Sequence, residues 1–178
     1  MIVIGLNGKF RHGKSYLAKH ITEEAERQGL RAETVSFAEP LKDLCRREFG
    51  WDGVKDARGR LLLQTVGTDA GRSYNENIWV DKWMERVRGL SGSVDLVISD
   101  DMRFPNEVDA IESMGGVTCR VLRLNGDATP YIEPGMEHLY SHASEQELKT
   151  VRVITCYSGD LDSLRASACE LLNSMRRG

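Results

Sequence analysis

Residues 2–15 read Ile2-Val-Ile-Gly-Leu6-Asn-Gly8-Lys-Phe-Arg-His-Gly13-Lys14-Ser15, an apolar run broken by glycines and closed by a lysine and a serine. The run Ile2 to Leu6 suits a strand buried on both faces of a parallel sheet. The eight residues from Gly8 to Ser15 match G-x-x-x-x-G-K-[ST], after a predicted strand and before a predicted helix. Gly8 and Gly13 let the backbone turn tightly and bring its N–H groups against phosphate oxygens, an approach that a Cβ would obstruct. Lys14 supplies a mobile charge to the β- and γ-phosphates, Ser15 a hydroxyl for Mg2+, and the following helix the positive end of its dipole. The stretch therefore predicts a site for ATP and Mg2+. Arg11 and His12 are further candidates for phosphate or acceptor contact, although a loop side chain in solvent is the commoner case.

Working outward, Leu17, Ile21 and Ala25 recur every fourth residue and Gly29 suits a helix C-terminus, which predicts a helix over 14–28. Val35-Ser-Phe37, Val94 to Ile98, Val117 to Leu124 and Val151 to Thr155 read as further strands. Leu161, Leu164, Ala168, Leu171 and Met175 share one face of a closing helix. Strands alternating with helices, on connections too long for hairpins, imply right-handed βαβ units and an α/β fold with a parallel sheet.

The chain has 178 residues, 40% hydrophobic and 29% charged, a length and balance that fit one folded domain. Its net charge of -3 provides no global basic field for polymeric nucleic acid. The sequence has no run of about 18 apolar residues, the length that would span a membrane, and the run Met1 to Leu6 is too short for a secretory leader and has no basic segment before it. These features point to the cytoplasm. Cys45, Cys119, Cys156 and Cys169 form no CxxC pair and read as reduced structural thiols.

A second chemical signal follows the strand Val94-Asp-Leu-Val-Ile98, which runs into Ser99-Asp100-Asp101. Carboxylates at a strand end beside a phosphate-binding loop are placed to hold Mg2+, directly or through water; the alternative is a pair of solvated turn residues. Either Asp100 or Asp101 could serve. Arg103-Phe-Pro-Asn-Glu107 then sets a guanidinium, an amide and a carboxylate at the start of a helix whose buried face is Val108, Ile111 and Met114. Arg103 is placed to meet a phosphate, with Glu107 orienting it or bonding a nucleoside; a structural ion pair is the bland alternative.

Taken together these motifs resemble the phage-type deoxynucleoside monophosphate kinases, a branch of the P-loop nucleoside monophosphate kinases. The resemblance rests on Gly8 to Ser15, Phe37-Ala-Glu-Pro-Leu-Lys42, Leu62-Leu-Gln-Thr-Val-Gly-Thr68 with Gly71-Arg72, Trp79-Val80, Asp101-Met-Arg-Phe-Pro-Asn-Glu107 and His142-Ala-Ser-Glu145. It implies a single three-layer domain of the adenylate kinase-like P-loop class, with helices on both faces of a parallel sheet. An acceptor-binding subregion over 38–90 and a lid over 125–145 would complete it. It also implies that Phe37 to Lys42 and Arg60 to Arg72 wall the monophosphate site, while Asp101, Arg103 and Glu107 line the acceptor side. Chemically, Arg60 and Arg72 could clamp a phosphate dianion, Gln64 and Thr68 could bond a base or sugar beside Gly67, and Trp79 could stack or pack.

The loop residues Lys9-Phe-Arg-His12 are bulkier and more basic than the small residues that many such kinases carry there. The segment 127–140, with Glu133 and Glu137, lacks a basic cluster, which leaves Arg120 and Arg123 as candidates for closing over the phosphates. His138 and His142, four apart and near Glu137 and Glu145, read as polar anchors of the lid in preference to a zinc site. The expected reaction is in-line transfer from Mg·ATP to a small nucleotide, with Lys14, Asp101 and Arg103 in catalytic roles and no membrane partner; a homodimer stays open. A kinase of another small acceptor, or a slow regulatory NTPase, would use the same loop.

Overall fold

The computed structural model describes residues 1–135, 137 and 148–176. In chain order its elements are β1 (Ile2–Asn7), α1 (Lys14–Arg27), β2 (Ala32–Thr34), α2 (Glu39–Phe49), α3 (Ala57–Gln64), a π-helical segment (Thr65–Arg72), α4 (Ile78–Gly89), β3 (Leu96–Ser99), α5 (Pro105–Ser113), β4 (Val117–Leu124), β5 (Arg152–Tyr157) and α6 (Leu161–Arg176). The five strands form one sheet in the order β2-β3-β1-β4-β5, and every pairing is parallel.

Side-chain alternation divides the core between the two faces of this sheet. Ile4, Leu6, Leu96 and Ile98 point to one face and are covered by Leu17 and Ile21 of α1 and by Leu164, Ala168 and Leu172 of α6. Val3 and Val97 point to the other, where Trp83 and Val87 of α4 and Val108 and Ile111 of α5 cover them. A smaller cluster of Leu41, Cys45 and Trp79 joins α2 to α4 away from the sheet. Cys45, Cys119 and Cys156 are buried free thiols. Among the described residues no helix is long and apolar enough to cross a membrane.

Two sequence expectations are corrected. The strand expected at Val35 to Phe37 lies instead just before it, at Ala32–Thr34, because Ser36, Phe37 and Ala38 turn away to bond the Asp101 carboxylate. The segment after β4 begins as a tight reversal: Asn125 N–H donates to the Thr129 carbonyl (2.8 Å) and Tyr131 N–H to the Arg123 carbonyl (2.9 Å). Most of 136–145, including His138, His142, Ser144 and Glu145, lies outside the described residues.

The sheet's central strand tolerates little bulk. A Cβ on Gly5 would stand 2.3 Å from Ile111 Cδ1, so α5 lies directly on the β1 backbone. Overpacking of this kind costs about 1–3 kcal/mol, and Gly5→Ala is expected to lose that much in urea unfolding. Combining it with Ile111→Val, which removes Cδ1, should recover part of the loss. Strict additivity of the two substitutions would contradict the close approach.

Candidate active site

The phosphate loop connects the C-terminal end of β1 to α1. Gly8 has φ 151°, and a Cβ there would meet the Val121 carbonyl at 2.5 Å; Gly13, the residue before α1, has φ 92°. Both positions need glycine for conformation and the first also for space. Lys14 Nζ donates to the carbonyls of Gly8 (2.5 Å) and Lys9 (2.9 Å), so the ammonium lies within the loop's own curve. Ser15 Oγ donates to Asp100 Oδ2 (2.6 Å), which joins the loop to the end of β3. This pairing comes from the sheet order, since β1 and β3 are neighbours and Gly5 is in register with Ser99. Asn7, buried at the end of β1, adds a second tie by donating from Nδ2 to the Met102 carbonyl (3.0 Å).

The two adjacent aspartates have separate tasks. Asp100 faces Ser15, whereas Asp101 accepts from Ser36 Oγ and from the N–H groups of Phe37 and Ala38 (3.0 Å each), which anchors the turn into α2. A hydroxyl and a carboxylate side by side form a hard-oxygen donor set of the kind that suits Mg2+, so Ser15 and Asp100 are the residues that fit this ion.

A cavity of about 170 Å³ opens on the other side of Asp101. Its walls include Gln64, Gly67, Thr68, Arg72, Trp79, Asp101, Arg103 and Glu107, eight of the ten residues expected on the acceptor side. Phe37, Leu41, Leu63 and Phe104 supply apolar wall between them. Lys42 and Arg60 stand outside it. Lys42 Nζ donates to Glu39 Oε2 (2.9 Å), and the Arg60 guanidinium lies over the Phe10 ring, 5.4 Å from its centre.

Glu107 and Arg72 form a buried ion pair through Glu107 Oε1 and Arg72 Nη2. Glu107 Oε2 accepts from the N–H groups of Arg103 (2.5 Å) and Phe104 (3.1 Å), the two residues that lead into α5. Arg72 also donates to the Glu76 carbonyl (3.2 Å) and Asn106 Oδ1 (3.3 Å), and it lies 3.9 Å over the Phe104 ring. These contacts make Arg72 a fixed planar wall rather than a free clamp, and Glu107 the residue that fixes it. Trp79 is buried and donates from Nε1 to the Gly67 carbonyl (2.9 Å).

His12 is buried rather than solvated. Its Nε2 donates to the Tyr131 carbonyl (3.0 Å) and its Nδ1 accepts from Arg123 N–H (3.3 Å). That pair of contacts requires the neutral ring with its proton on Nε2. Burial, with the charges of Lys14 and Lys9 adding to it, lowers the imidazole pKa. His12 thus ties the phosphate loop to the end of β4. Arg123 lies flat on the Tyr131 ring at 3.7 Å and donates to Ser158 Oγ (3.0 Å) and the Arg11 carbonyl (3.2 Å). Arg120 borders a small hollow beside Gly8 and His12.

Lys55, in an aperiodic stretch between two motifs, is a residue that sequence reasoning did not single out. The residue as a whole is exposed. Partial desolvation of its ammonium, together with the charges of Lys42, Arg103 and Arg60, holds its pKa below the ordinary lysine value, while Asp101 pulls the other way. Lys55 therefore stands in a locally positive surrounding.

No family model matches the chain. It is 29% identical to a protein of Acanthamoeba polyphaga mimivirus provisionally named deoxynucleotide monophosphate kinase, over 85% of this chain and 84% of that one. Among solved structures it is similar to the APS kinase of Mycobacterium tuberculosis in complex with AMPPNP and APS, with a TM-score of 0.56, 12% identity and coverage of 98% and 97%. It is also similar to the shikimate kinase of Bacteroides thetaiotaomicron, with a TM-score of 0.51, 14% identity and 98% coverage of both chains. The chain has the α/β fold of the P-loop kinases. Within that class, the resemblance read from its motifs, to the phage-type deoxynucleoside monophosphate kinases, is matched by the viral relative over most of the chain.

Burial pushes the Glu107 carboxyl up to about 7, against the backbone N–H of Arg103 and the charge of Arg72, which favour ionisation. A carboxyl with a raised folded-state pKa favours folding most when protonated, so its contribution falls as pH climbs from about 4.5 to about 7. The stability advantage of the native chain over Glu107→Gln should therefore shrink across this window, by on the order of 3 kcal/mol. Denaturant titrations of both proteins at several pH values check the sign; an advantage that grows with pH would refute it.

Proposed function

We propose that this protein transfers the γ-phosphoryl group of ATP to a deoxynucleoside monophosphate, giving the diphosphate and ADP. The observation that carries the reading is the end of β3, where consecutive residues serve both halves of such a reaction. Asp100 meets Ser15 of the phosphate loop, while Asp101 and Arg103 line the cavity on the acceptor side. The viral relative's name agrees with this assignment. The preference for deoxynucleotides rests on that relative and on the motif resemblance.

The chemistry asked of the chain is positioning and charge neutralisation, because a phosphate oxygen is already a competent acceptor at neutral pH. Gly8, Gly13 and the start of α1 would cradle the triphosphate, with Lys14 at its β- and γ-phosphates. Ser15 and Asp100 would hold Mg2+, which on binding offsets charge on those phosphates. Arg103 would meet the acceptor phosphate, and Asp101 keeps the turn into α2 in place beside it. Gln64 and Thr68 would contact base or sugar along the wall that Trp79 and Arg72 make rigid. Of the expected lid, the described part folds back on β4, and His12 ties that part to the phosphate loop.

The test is incubation with Mg·ATP and each common deoxynucleoside and ribonucleoside monophosphate, with products separated by chromatography. Diphosphate should form from at least one deoxynucleotide. Lys14→Ala and Arg103→Ala should each lower kcat/KM by about 100-fold or more, the scale of a lost transition-state charge contact, while keeping the native circular dichroism spectrum. ATP binding without any diphosphate product would overturn the assignment and favour another acceptor or a nucleotide switch.

A further inference from the structure

The four residues between the glycines of the phosphate loop are larger than phosphate binding by backbone requires. His12 is accounted for by its two hydrogen bonds to the end of β4 and the turn after it. Phe10 has a different use. Its half-buried ring carries two guanidinium groups, that of Arg11 at 5.7 Å from the ring centre and that of Arg60 at 5.4 Å, both within cation–π range. Arg11 is a neighbour in sequence, has φ 62°, and extends outward to Glu133 (3.9 Å). Arg60 comes from α3, fifty residues away.

The backbone that carries Arg60 is well anchored. Asp56 caps α3, its Oδ1 accepting from Gly59 N–H (2.7 Å), so the first turn of the helix is fixed. Arg60 is half-buried, yet among the described residues no carboxylate pairs with it. Arg72, Arg31 and Arg86, by contrast, each have one, and Arg46 has two. The nearby charges that act on Lys55 are Arg60, Lys42 and Arg103, with Asp101 as the counter-charge. The oxygens of Asp101 are already engaged by Ser36, Phe37 and Ala38. Lys42 has Glu39 as its own partner, but Arg60, in this positive surrounding and with no carboxylate on it among the described residues, is suited to an anion brought from outside.

Position along the loop decides which anion. The carbonyls that accept from Lys14 Nζ belong to Gly8 and Lys9, and Phe10 is the next residue. An arginine held on Phe10 therefore lies at the end of the loop where Lys14 would meet the β- and γ-phosphates. We infer that Arg60, seated on the Phe10 ring, contacts the terminal phosphate of the nucleotide in the phosphate loop, supplying from the acceptor side a cation that the acidic segment after β4 does not. This rests on the ATP-binding part of the reading above and not on the identity of the acceptor. Arg60 is then a catalytic residue and Phe10 the residue that positions it.

The experiment compares binding of AMPPNP and of ADP, each with Mg2+, to the native chain and to Arg60→Ala, Phe10→Leu and the double variant, by calorimetry. Phe10→Leu keeps apolar bulk in the loop and removes the ring face. Arg60→Ala should weaken AMPPNP by about tenfold or more, the scale of a lost charge-assisted contact, and ADP by much less. Phe10→Leu should show the same selective loss in smaller degree, and the double variant should be no worse than Arg60→Ala. Equal losses for the two nucleotides, or no loss for either, would overturn the inference and leave Arg60 to the acceptor phosphate or to structure. Failure of the native chain to make any deoxynucleoside diphosphate would count against the proposed acceptor alone, because the AMPPNP-to-ADP comparison needs no acceptor.

Discussion

The site depends on the parallel pairing of β1 with β3. Parallel neighbours end on the same edge of a sheet, and the register that sets Gly5 opposite Ser99 brings Gly8 to Ser15 and Asp100 to Arg103 out side by side. Two hydrogen bonds then lock the emerging segments together, Ser15 to Asp100 and Asn7 to the Met102 carbonyl. A one-residue slip would turn Ile4 and Leu6 away from α1 and α6 and would also separate the loop from its aspartate. The burial pattern that holds the core therefore also aligns the chemistry.

Much of this was legible because it follows from short-range rules. The apolar run at Ile2, the i, i+4 spacing of Leu17, Ile21 and Ala25, and the Pro105 start of α5 each predict a local element, and each element lies within a residue or two of its predicted bounds. The residues that the resemblance groups on the acceptor side, Gln64, Gly67, Thr68, Arg72, Trp79, Asp101, Arg103 and Glu107, are distant in sequence but share one cavity. What periodicity cannot show is how each polar side chain spends its hydrogen bonds. Arg72 and Arg60 look alike as sequence letters. Only the tertiary arrangement reveals that the first is fixed by Glu107, Asn106 and Glu76 and that the second rests on an aromatic ring. The burial of His12 was hidden for the same reason, since its partners lie more than a hundred residues downstream.

The charges of the site fall into two populations with different physics. Glu107 and Arg72 are buried together, and burial of such a pair recovers its desolvation cost only when the remaining donors and acceptors are satisfied. Those groups are engaged here, through two backbone N–H groups on one side and two oxygen acceptors and a ring face on the other, yet burial still raises the Glu107 carboxyl, so the cost is recovered only in part. The result is rigidity. Lys55 and Arg60 belong to the second population: the charges that act on Lys55 are mostly cations, and among the described residues no carboxylate pairs with Arg60. Rigid walls and under-compensated charge are complementary requirements for a site that must recognise an anion and hold it still.

All of α2, α3, the π-helical segment and α4 are inserted between β2 and β3, two strands that are themselves paired neighbours. The excursion leaves the sheet and returns to it at the adjacent strand, so its length and sequence can drift in evolution without disturbing the pairings of β1 with β3 and β4. Selection on what is accepted is in this way decoupled from selection on the phosphate loop. In this chain the excursion is tied back to the rest through the packing of Trp83 and Val87 on the sheet, the Arg72–Glu107 pair, the bonds from Asp101 to the turn into α2 and the Phe10–Arg60 contact. A change of specificity would need to preserve those points.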